Sequence, residues 1–357
     1  MRDVRLQVSG REYGGWKTAR VTRSLESVCR SFDLTVFDRW ADAGEPWPII
    51  EEDECTVLLG DERLVTGYVD RRSIAYGPDS HSLRVAGRDQ AGALVDCSAD
   101  IGQLEFANAS VLKLARKLCD PFGLRVRMQD GLAEPAPVSR LSIDVGESAF
   151  DALERACRLA AVLPVSDGDG GIVLSRVGAA RATDDLVEGE NILEASADYD
   201  GTARFSAYRV VGQVAGTDDF FGGDAAAPKG TAIDAGVRRL ERALVLRAEA
   251  VATSAQAKRR ATWEATVRAA RSQTVSVVVQ GWEQRDGALW PLNALVHVKS
   301  PRLGIDADML IAETAFSLDD GGSKTTLALR RPDAFTPEPV RVPSGVAPWA
   351  EIARGVR

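Results

Sequence analysis

"DRWADAGEPWPII", Asp38 to Ile50, returns in outline near the other end of the chain as "QGWEQRDGALWPLN", Gln280 to Asn293. In each stretch a Trp is followed by a polar, Gly-containing segment and then by a Trp-Pro step into an apolar run. Trp282 lies 242 residues after Trp40, and the Trp290-Pro291 step lies 243 residues after Trp47-Pro48. Downstream, "TGYVDRRSIAYGPDSHSLRVAGRD" and "LIAETAFSLDDGGSKTTLALRRPD" each read as strand, polar turn, strand, with Leu83 and Val85 matching Leu327 and Leu329 at a separation of 244. Registered features at nearly constant separation read as two duplicated β domains. Ordinary unrelated hairpins are the bland alternative. The Trp pairs themselves admit two readings: plugs at the ends of β-barrels, or flat apolar platforms for stacking sugars.

The pattern around the echo supports a mainly β chain with α/β material between the repeats. "VRLQV", "KTARVTRS" and "SFDLTVF" alternate apolar and polar residues, as half-buried strands do. The turns "GDE" and "GPDS" that follow carry the Gly, Pro and Asp that tight turns require. From Asn108 the period becomes helical, with Val111, Leu112, Leu114, Ala115 and Leu118 on one face and Asp120-Pro121 as a stop. Ser148 caps a second helix, whose stripe is Phe150, Leu153, Ala156, Cys157 and Ala160. A hairpin turning at Asp167 to Gly171 comes next, then a strand in "ARFSAYRVVGQVAG" and a polar loop, "TDDFFGGDAAAPKGTAI". Strand character returns at the apolar end of "RRLERALVLRAE". Thr253 or Ser254 then caps a helix that turns Trp263 and Val267 to a core. The expected boundaries are a first β-barrel at 1–96, an α+β domain at 97–190, a second β-barrel from 191–215 and 275–335, an inserted segment at 216–274, and a Pro-rich tail at 336–357.

Composition narrows the function. A chain of 357 residues with 45% hydrophobic content buries substantial cores and divides into two to four domains. No stretch approaches the roughly 20 apolar residues of a membrane span, and the N-terminus lacks the apolar core of a signal peptide, so cytosolic synthesis without membrane insertion is expected. The five cysteines form no CxxC pair and suggest neither a disulfide framework nor a zinc site, but small core residues. A net charge of -8 argues against a surface that wraps nucleic acid, since affinity for phosphates comes from clustered Lys and Arg.

Catalytic patterns are thin. His81 sits in a turn and His297 in the strand "LVHVKS", neither beside a second ligand. Cys97 in "LVDCSAD" has no base near it in sequence, and a nucleophile needs one within hydrogen-bond reach. "DGDGG" from Asp167 resembles the start of a calcium loop, but its twelfth position is Gly178 where a bidentate Glu is required. "GGSKT" lacks the phosphate-loop spacing. Acidic residues are plentiful, and nothing singles out a catalytic pair. No catalytic, cofactor or metal site is expected.

The ordered set "GGWKTARVTRSLESVCRSFDLTV", "GDERLVTGYVD", "GRDQAGALVDCSA", "LCDPFGLRV", "EGENILEASADYD", "RFSAYRVVGQ" and "GWEQRDGALWPLNALVHVKSPRLGI" resembles the baseplate hub protein of Mu-type contractile phage tails, from about Gly15 to Phe335. Each piece alone is weak; the order is what is specific. The resemblance implies a structural virion protein, not an enzyme: a homotrimeric ring with two similar β-barrel tube domains per chain. Such a ring would adapt a sixfold tail tube to a threefold central spike, contact other baseplate proteins, and pass DNA without binding it specifically. It would be assembled in the host cytoplasm; related contractile injection systems use similar hubs, so the resemblance covers an infectious phage and a prophage or bacteriocin-like particle alike. On this reading Trp40, Trp47, Pro48, Trp282, Trp290 and Pro291 are duplicated barrel positions. A cell-wall hydrolase or carbohydrate-binding protein associated with the tail is the reading from another class, and the missing nucleophile-base motif weighs against it.

Overall fold

Alternating sequence becomes alternating burial from the first strand, β1 (Val4–Val8), where Val4, Leu6 and Val8 point inward and Arg5 and Gln7 do not. The computed structural model describes residues 3–37, 49–77, 80–178, 180–212, 228–248 and 253–336. Trp40, Trp47, Pro48 and residues 337–357 of the Pro-rich tail therefore lie outside the described residues. After β1 come β2 (Arg11–Tyr13), β3 (Thr18–Ser24), β4 (Ser31–Phe37), β5 (Glu54–Leu59), β6 (Glu62–Gly77) and β7 (Ser80–Asp89).

Between the two halves of the β structure lies an α/β region. It comprises α1 (Gly92–Asp96), β8 (Glu105–Ala109), α2 (Val111–Cys119), β9 (Arg125–Met128), β10 (Val138–Ser142), α3 (Ala149–Leu159), β11 (Leu163–Ser166) and β12 (Gly171–Ser175). Ser110 and Ser148 cap α2 and α3 by accepting from the amides of Lys113 and Asp151, which satisfies N–H groups that a helix start leaves without partners. The buried faces of both helices, with Leu114, Leu118, Leu153 and Cys157, share one core with Ile172 and Leu174 of β12. The β11–β12 hairpin turns where expected. Its Asp167 side chain accepts from the amides of Asp169 and Gly171, so the carboxylate that opens "DGDGG" organises the turn. Of the cysteines, Cys55, Cys119 and Cys157 are buried and Cys29 half-buried, but Cys97 is exposed. It follows the end of α1, where the backbone has turned extended and the side chain leaves the core.

The chain returns to the main sheet through β13 (Ala180–Arg181), β14 (Leu186–Val187) and β15 (Ile192–Tyr199). It then builds a separate unit, Tyr199–Gln273 with Asp333–Arg357. There β16 (Ala207–Gly212) pairs antiparallel with β17 (Lys229–Ile233) and parallel with β18 (Ala243–Ala248). Helix α4 (Ser254–Arg271) lies against β16 and β17, capped by Thr253 in a full capping box with Gln256. Gly230 permits the approach: a Cβ there would sit 2.1 Å from the Lys258 amide nitrogen. Two sequence expectations change here. Residues 199–212, expected in the second β-barrel as part of 191–215, do not join the second β repeat, because Tyr208 and Val210 are buried with Ala257 and Ala261 of α4. The end of the expected polar loop, "KGTAI", is strand β17. Trp263 is only half-buried; its indole N–H donates to the Thr336 carbonyl at 2.7 Å, and the Arg260 guanidinium lies 4.6 Å from its ring centre.

The last strands are β19 (Gln273–Gln280), β20 (Ala294–Ser300), β21 (Ile305–Asp319) and β22 (Gly322–Arg330). Among the described residues the chain is mainly β, and fourteen strands form one sheet. Its path runs β15, β19, β22, β21, β3, β4, β7, β6, β5, β1, β2, with β20 also on β21 and with β13 and β14 beside β20. The repeats expected as separate barrels thus share one sheet and one core, which holds Phe32, Leu34, Val57 and Val85 together with Val275, Val277, Phe316 and Leu327.

The α/β region is tied to this sheet by a buried polar cluster. Asp89, at the end of β7, accepts from the Ser166 hydroxyl and the Ala91 amide, while Arg30 donates to the carbonyls of Leu64 and Ser166. Burial pushes the Asp89 carboxyl up from 3.8 to about 6, a rise that the hydrogen bonds and the Arg30 charge only partly oppose. A carboxyl raised on folding contributes stability that is complete below the unfolded value and is lost as pH rises through the folded one. Stability relative to an Asp89→Asn variant is therefore expected to fall between pH 4 and 6.5. The change should be on the order of 3 kcal/mol, at about 1.4 kcal/mol per pKa unit, read from denaturant unfolding of both proteins across that range.

Candidate functional site: the junction between the repeats

The two halves of the sheet correspond strand by strand. Sheet neighbours β4, β7, β6 and β5 match β19, β22, β21 and β20. In the hairpin β6–β7 the register slips between Val69 and Arg71, opposite Gly87 and Ala86. In β21–β22 it slips between Ile311 and Glu313, opposite Leu329 and Ala328. All four positions are displaced by 242 residues. The same displacement carries the pair Leu58/Arg63 onto Ser300/Ile305, and β4 maps onto β19 at 243. A bulge bends a strand and tightens its twist at a chosen point, so bulges that coincide on both strands mark the same fold written twice. Counted this way Leu327 matches Val85, not Leu83, two residues from the register read in sequence. A shift of two leaves the same face inward.

The repeats meet where β3, of the first, pairs antiparallel with the second half of β21, from Glu313 opposite Ser24 to Leu318 opposite Ala19. Arg23 crosses this seam. Its Nε donates to the Thr314 hydroxyl at 2.8 Å, a terminal nitrogen donates to the Trp290 carbonyl, and the guanidinium lies 5.1 Å from the centre of the Phe316 ring. Burial, with a smaller push from Arg30, lowers the Arg23 pKa to about 9. The loop between β19 and β20 closes over the same region. Trp282 and Trp290 are 4% and 2% exposed, and the Trp282 indole N–H donates to the Ser317 carbonyl at 2.9 Å. Their faces are spent on the core and offer no platform to a sugar, while Pro291 is half-buried. The first pair, Trp40 and Trp47, lies outside the described residues.

The residues weighed for catalysis do not converge. His297 stands between Asp306 and Asp308, 3.0 Å from each, and Asp308 also pairs with Arg181, a polar cluster on β13, β20 and β21. His81 lies on β7, in another part of the sheet. Among the described residues no group of three or more His, Cys, Asp and Glu could hold a metal ion. Two features were beyond sequence reasoning: the Arg23 seam, and the fact that the first repeat leaves exposed what the second covers. Position for position, Ile74 and Tyr76 of β6 match Phe316 and Leu318 of β21, yet they are 63% and 84% exposed. Mapping β6 onto β21 is the signal that finds them.

A β fold written twice in one sheet and joined by a buried seam is a scaffold that offers the same surface twice, and the comparisons give its class. Residues 3–89 match the family model of the Mu phage baseplate assembly protein GpP-like N-terminal domain, residues 91–176 the second domain of baseplate hub protein gp44-like proteins, and residues 253–338 the fourth domain of Mu phage baseplate assembly protein GpP. The chain is 34% identical over 339 residues to baseplate hub protein gp44 of Escherichia phage Mu, covering 93% of this chain and 88% of the relative. Its fold is similar to the 43 kDa tail protein of prophage MuSo2 from Shewanella oneidensis (TM-score 0.84, 32% identity, 94% of this chain and 100% of that one). It is also similar to the tail protein from Neisseria meningitidis MC58 (TM-score 0.77, 24% identity, 94% and 98%). The chain belongs to the Mu-type baseplate hub family: it is a structural hub protein of a Mu-like phage tail, not an enzyme.

Arg23 offers a direct test of the seam. Replacing it by Met removes the donors but leaves the buried Thr314 hydroxyl and the Trp290 carbonyl, a loss of about 1–3 kcal/mol. Arg20→Met, on the exposed face of the same strand, should stay within about 0.5 kcal/mol. Urea unfolding of both variants makes the comparison.

Proposed function

We propose that the hub acts as a homotrimeric ring in which six β repeats, two from each chain, face the sixfold tail tube while the other face receives a threefold spike. The observation that carries this reading is the duplication in register, bulge for bulge, at a displacement of 242 residues. One chain presents two equivalent surfaces, so three chains present six, and a cyclic arrangement is the usual way to use head-to-tail contacts without open ends. Trp40, Trp47 and Pro48 would then occupy in the first repeat the places that Trp282, Trp290 and Pro291 occupy in the second, each repeat forming one tube domain of the ring. The α+β domain at 97–190 and the unit around α4 are carried in the chain as insertions between strands of the repeats.

The ring's lumen passes DNA. A charge of -8 per chain gives about -24 for three, and like charge repels phosphates. Assembly takes place in the host cytoplasm, and residues 336–357 add a contact to the spike, because Pro limits the backbone freedom that docking must remove.

Three measurements test this. Light scattering at micromolar concentration should give the mass of a trimer; a stable monomer in the presence of the spike protein would overturn the ring. Titration with duplex DNA at physiological salt should show no tight binding, and tight binding would end the conduit idea. Capture of the spike protein should weaken when residues 336–357 are deleted; unchanged capture would take that segment out of the interface.

A further inference from the structure

The seam inside the chain supplies a template for a contact between chains. In the second repeat, β3 covers Glu313–Leu318 of β21. In the first, β5 reaches only as far as Tyr68, so among the described residues the strand laddered to the equivalent half of β6, Arg71–Gly77, is β7. The strand that corresponds to β3 is β15. Just as β3 lies beside β4, β15 lies beside β19, and it is the terminal strand of the sheet path. The Asp200 amide donates to the Ser272 carbonyl at 2.8 Å, bringing the end of β15 to the start of β19 as the short turn 25–30 brings β3 to β4.

We propose that β15 of one copy adds antiparallel to the Arg71–Gly77 edge of β6 in the next copy, reproducing between chains the β3–β21 seam found within one. This deepens the ring reading above and rests on it. Three observations point to a second copy as the occupant. The displacement of 242 puts Ile74 and Tyr76 where Phe316 is buried and Leu318 half-buried, so the same position is covered in one repeat and open in the other. The proposed partner strand is likewise exposed, with Leu193 at 50% and Tyr199 at 59%. The charges are complementary: Arg71 on the β6 edge, Glu194 and Asp198 on β15. An exposed sheet edge with apolar side chains is a template for strand addition, in which backbone hydrogen bonds give affinity and alternate side chains give register.

The template also fixes direction. Leu318 lies opposite Ala19 at the start of β3, and Glu313 opposite Ser24 at its end. Tyr76 therefore meets the Ile192–Ala195 end of a neighbouring β15, and Arg71 meets its Tyr199 end.

The experiment uses the full chain with Cys97→Ser, to remove the exposed native thiol. Tyr76→Cys with Glu194→Cys should give covalently linked trimers on mild oxidation, while Tyr76→Cys with Tyr199→Cys should not. In parallel, Ile74→Asp with Tyr76→Asp should abolish the trimer in light scattering and leave the unfolding midpoint and circular dichroism unchanged, because both side chains are exposed in the single chain. Arg71→Glu should weaken the trimer, and adding Asp198→Arg should restore it. A trimer that survives the Asp substitutions, or links through the Tyr199 pair instead, would overturn the proposed edge while leaving the ring standing. A wild-type chain that is monomeric even with the spike protein would remove the ring itself.

Discussion

The edge of β21 is the constraint on which the rest depends. Backbone groups on a strand edge need partners, and a long β21 needs two neighbours on one side to satisfy them: β20 serves Ile305–Leu310 and β3 serves Glu313–Leu318. The bulge at Ile311/Glu313 stands at the changeover. Because β3 comes from the first repeat, satisfying this edge joins residues nearly 300 positions apart and makes one core of two repeats. Arg23 reinforces the joint with a bond to a side chain, a bond to a loop carbonyl and a ring contact. A half-buried guanidinium is costly to hold unless its donors are used.

The spacing of 242 to 244 residues read in sequence pointed to the duplication that the paired bulges show, and the helices were legible in Ser148 and Thr253 because caps are local. The register was misread by two residues for a reason visible in the packing. In the first repeat Phe32 lies opposite Gly87, where a Cβ would come within 2.7 Å of the ring. In the second, Val275 lies opposite Leu329. Large-against-none has become medium-against-large, conserving volume across the pair while breaking the aliphatic pattern along the strand. Gly87 hides the true match, and the eye slides to Leu83. Similarly, "AYRVVG" reads as any strand; only its contacts with α4 show which sheet it joins. The Asp89, Arg30 and Ser166 cluster left no trace in sequence, since three common polar residues far apart acquire meaning only once folding buries them together.

The insertions follow the same logic of ends. The α/β region leaves after β7 and returns at β13, and the second unit interrupts what in the first repeat is the short turn 25–30. An insertion is tolerated where its two ends lie close together, and the Asp200 to Ser272 hydrogen bond shows that they do. The repeat therefore keeps its strand pairing while carrying a unit with its own sheet, helix and core. Within that unit Glu264, 6% exposed, is held between Arg260 and Arg268 at 2.7 Å each, so its helix brings a fully partnered charge to the core edge.

Two repeats that were wholly alike would pair indiscriminately, and their differences lie where that matters. The internal seam carries Arg20 and Arg23 on β3 against Glu313 on β21; the outer edges carry Arg71 on β6 against Glu194 and Asp198 on β15. Acid and base have changed sides. Two β15 edges brought together would set carboxylate against carboxylate, and two β6 edges would set arginine against arginine, both disfavoured for charges directly opposite across strands. Charged residues on an edge are a common means of preventing self-pairing. On the proposed edge they would disfavour the symmetric two-chain contacts and favour head-to-tail addition. Head-to-tail contacts either close into a ring or run on into a filament. If the step between chains repeats the step from one repeat to the next inside the chain, as proposed, the sheet's own twist and its two bulges set the angle that closes the ring.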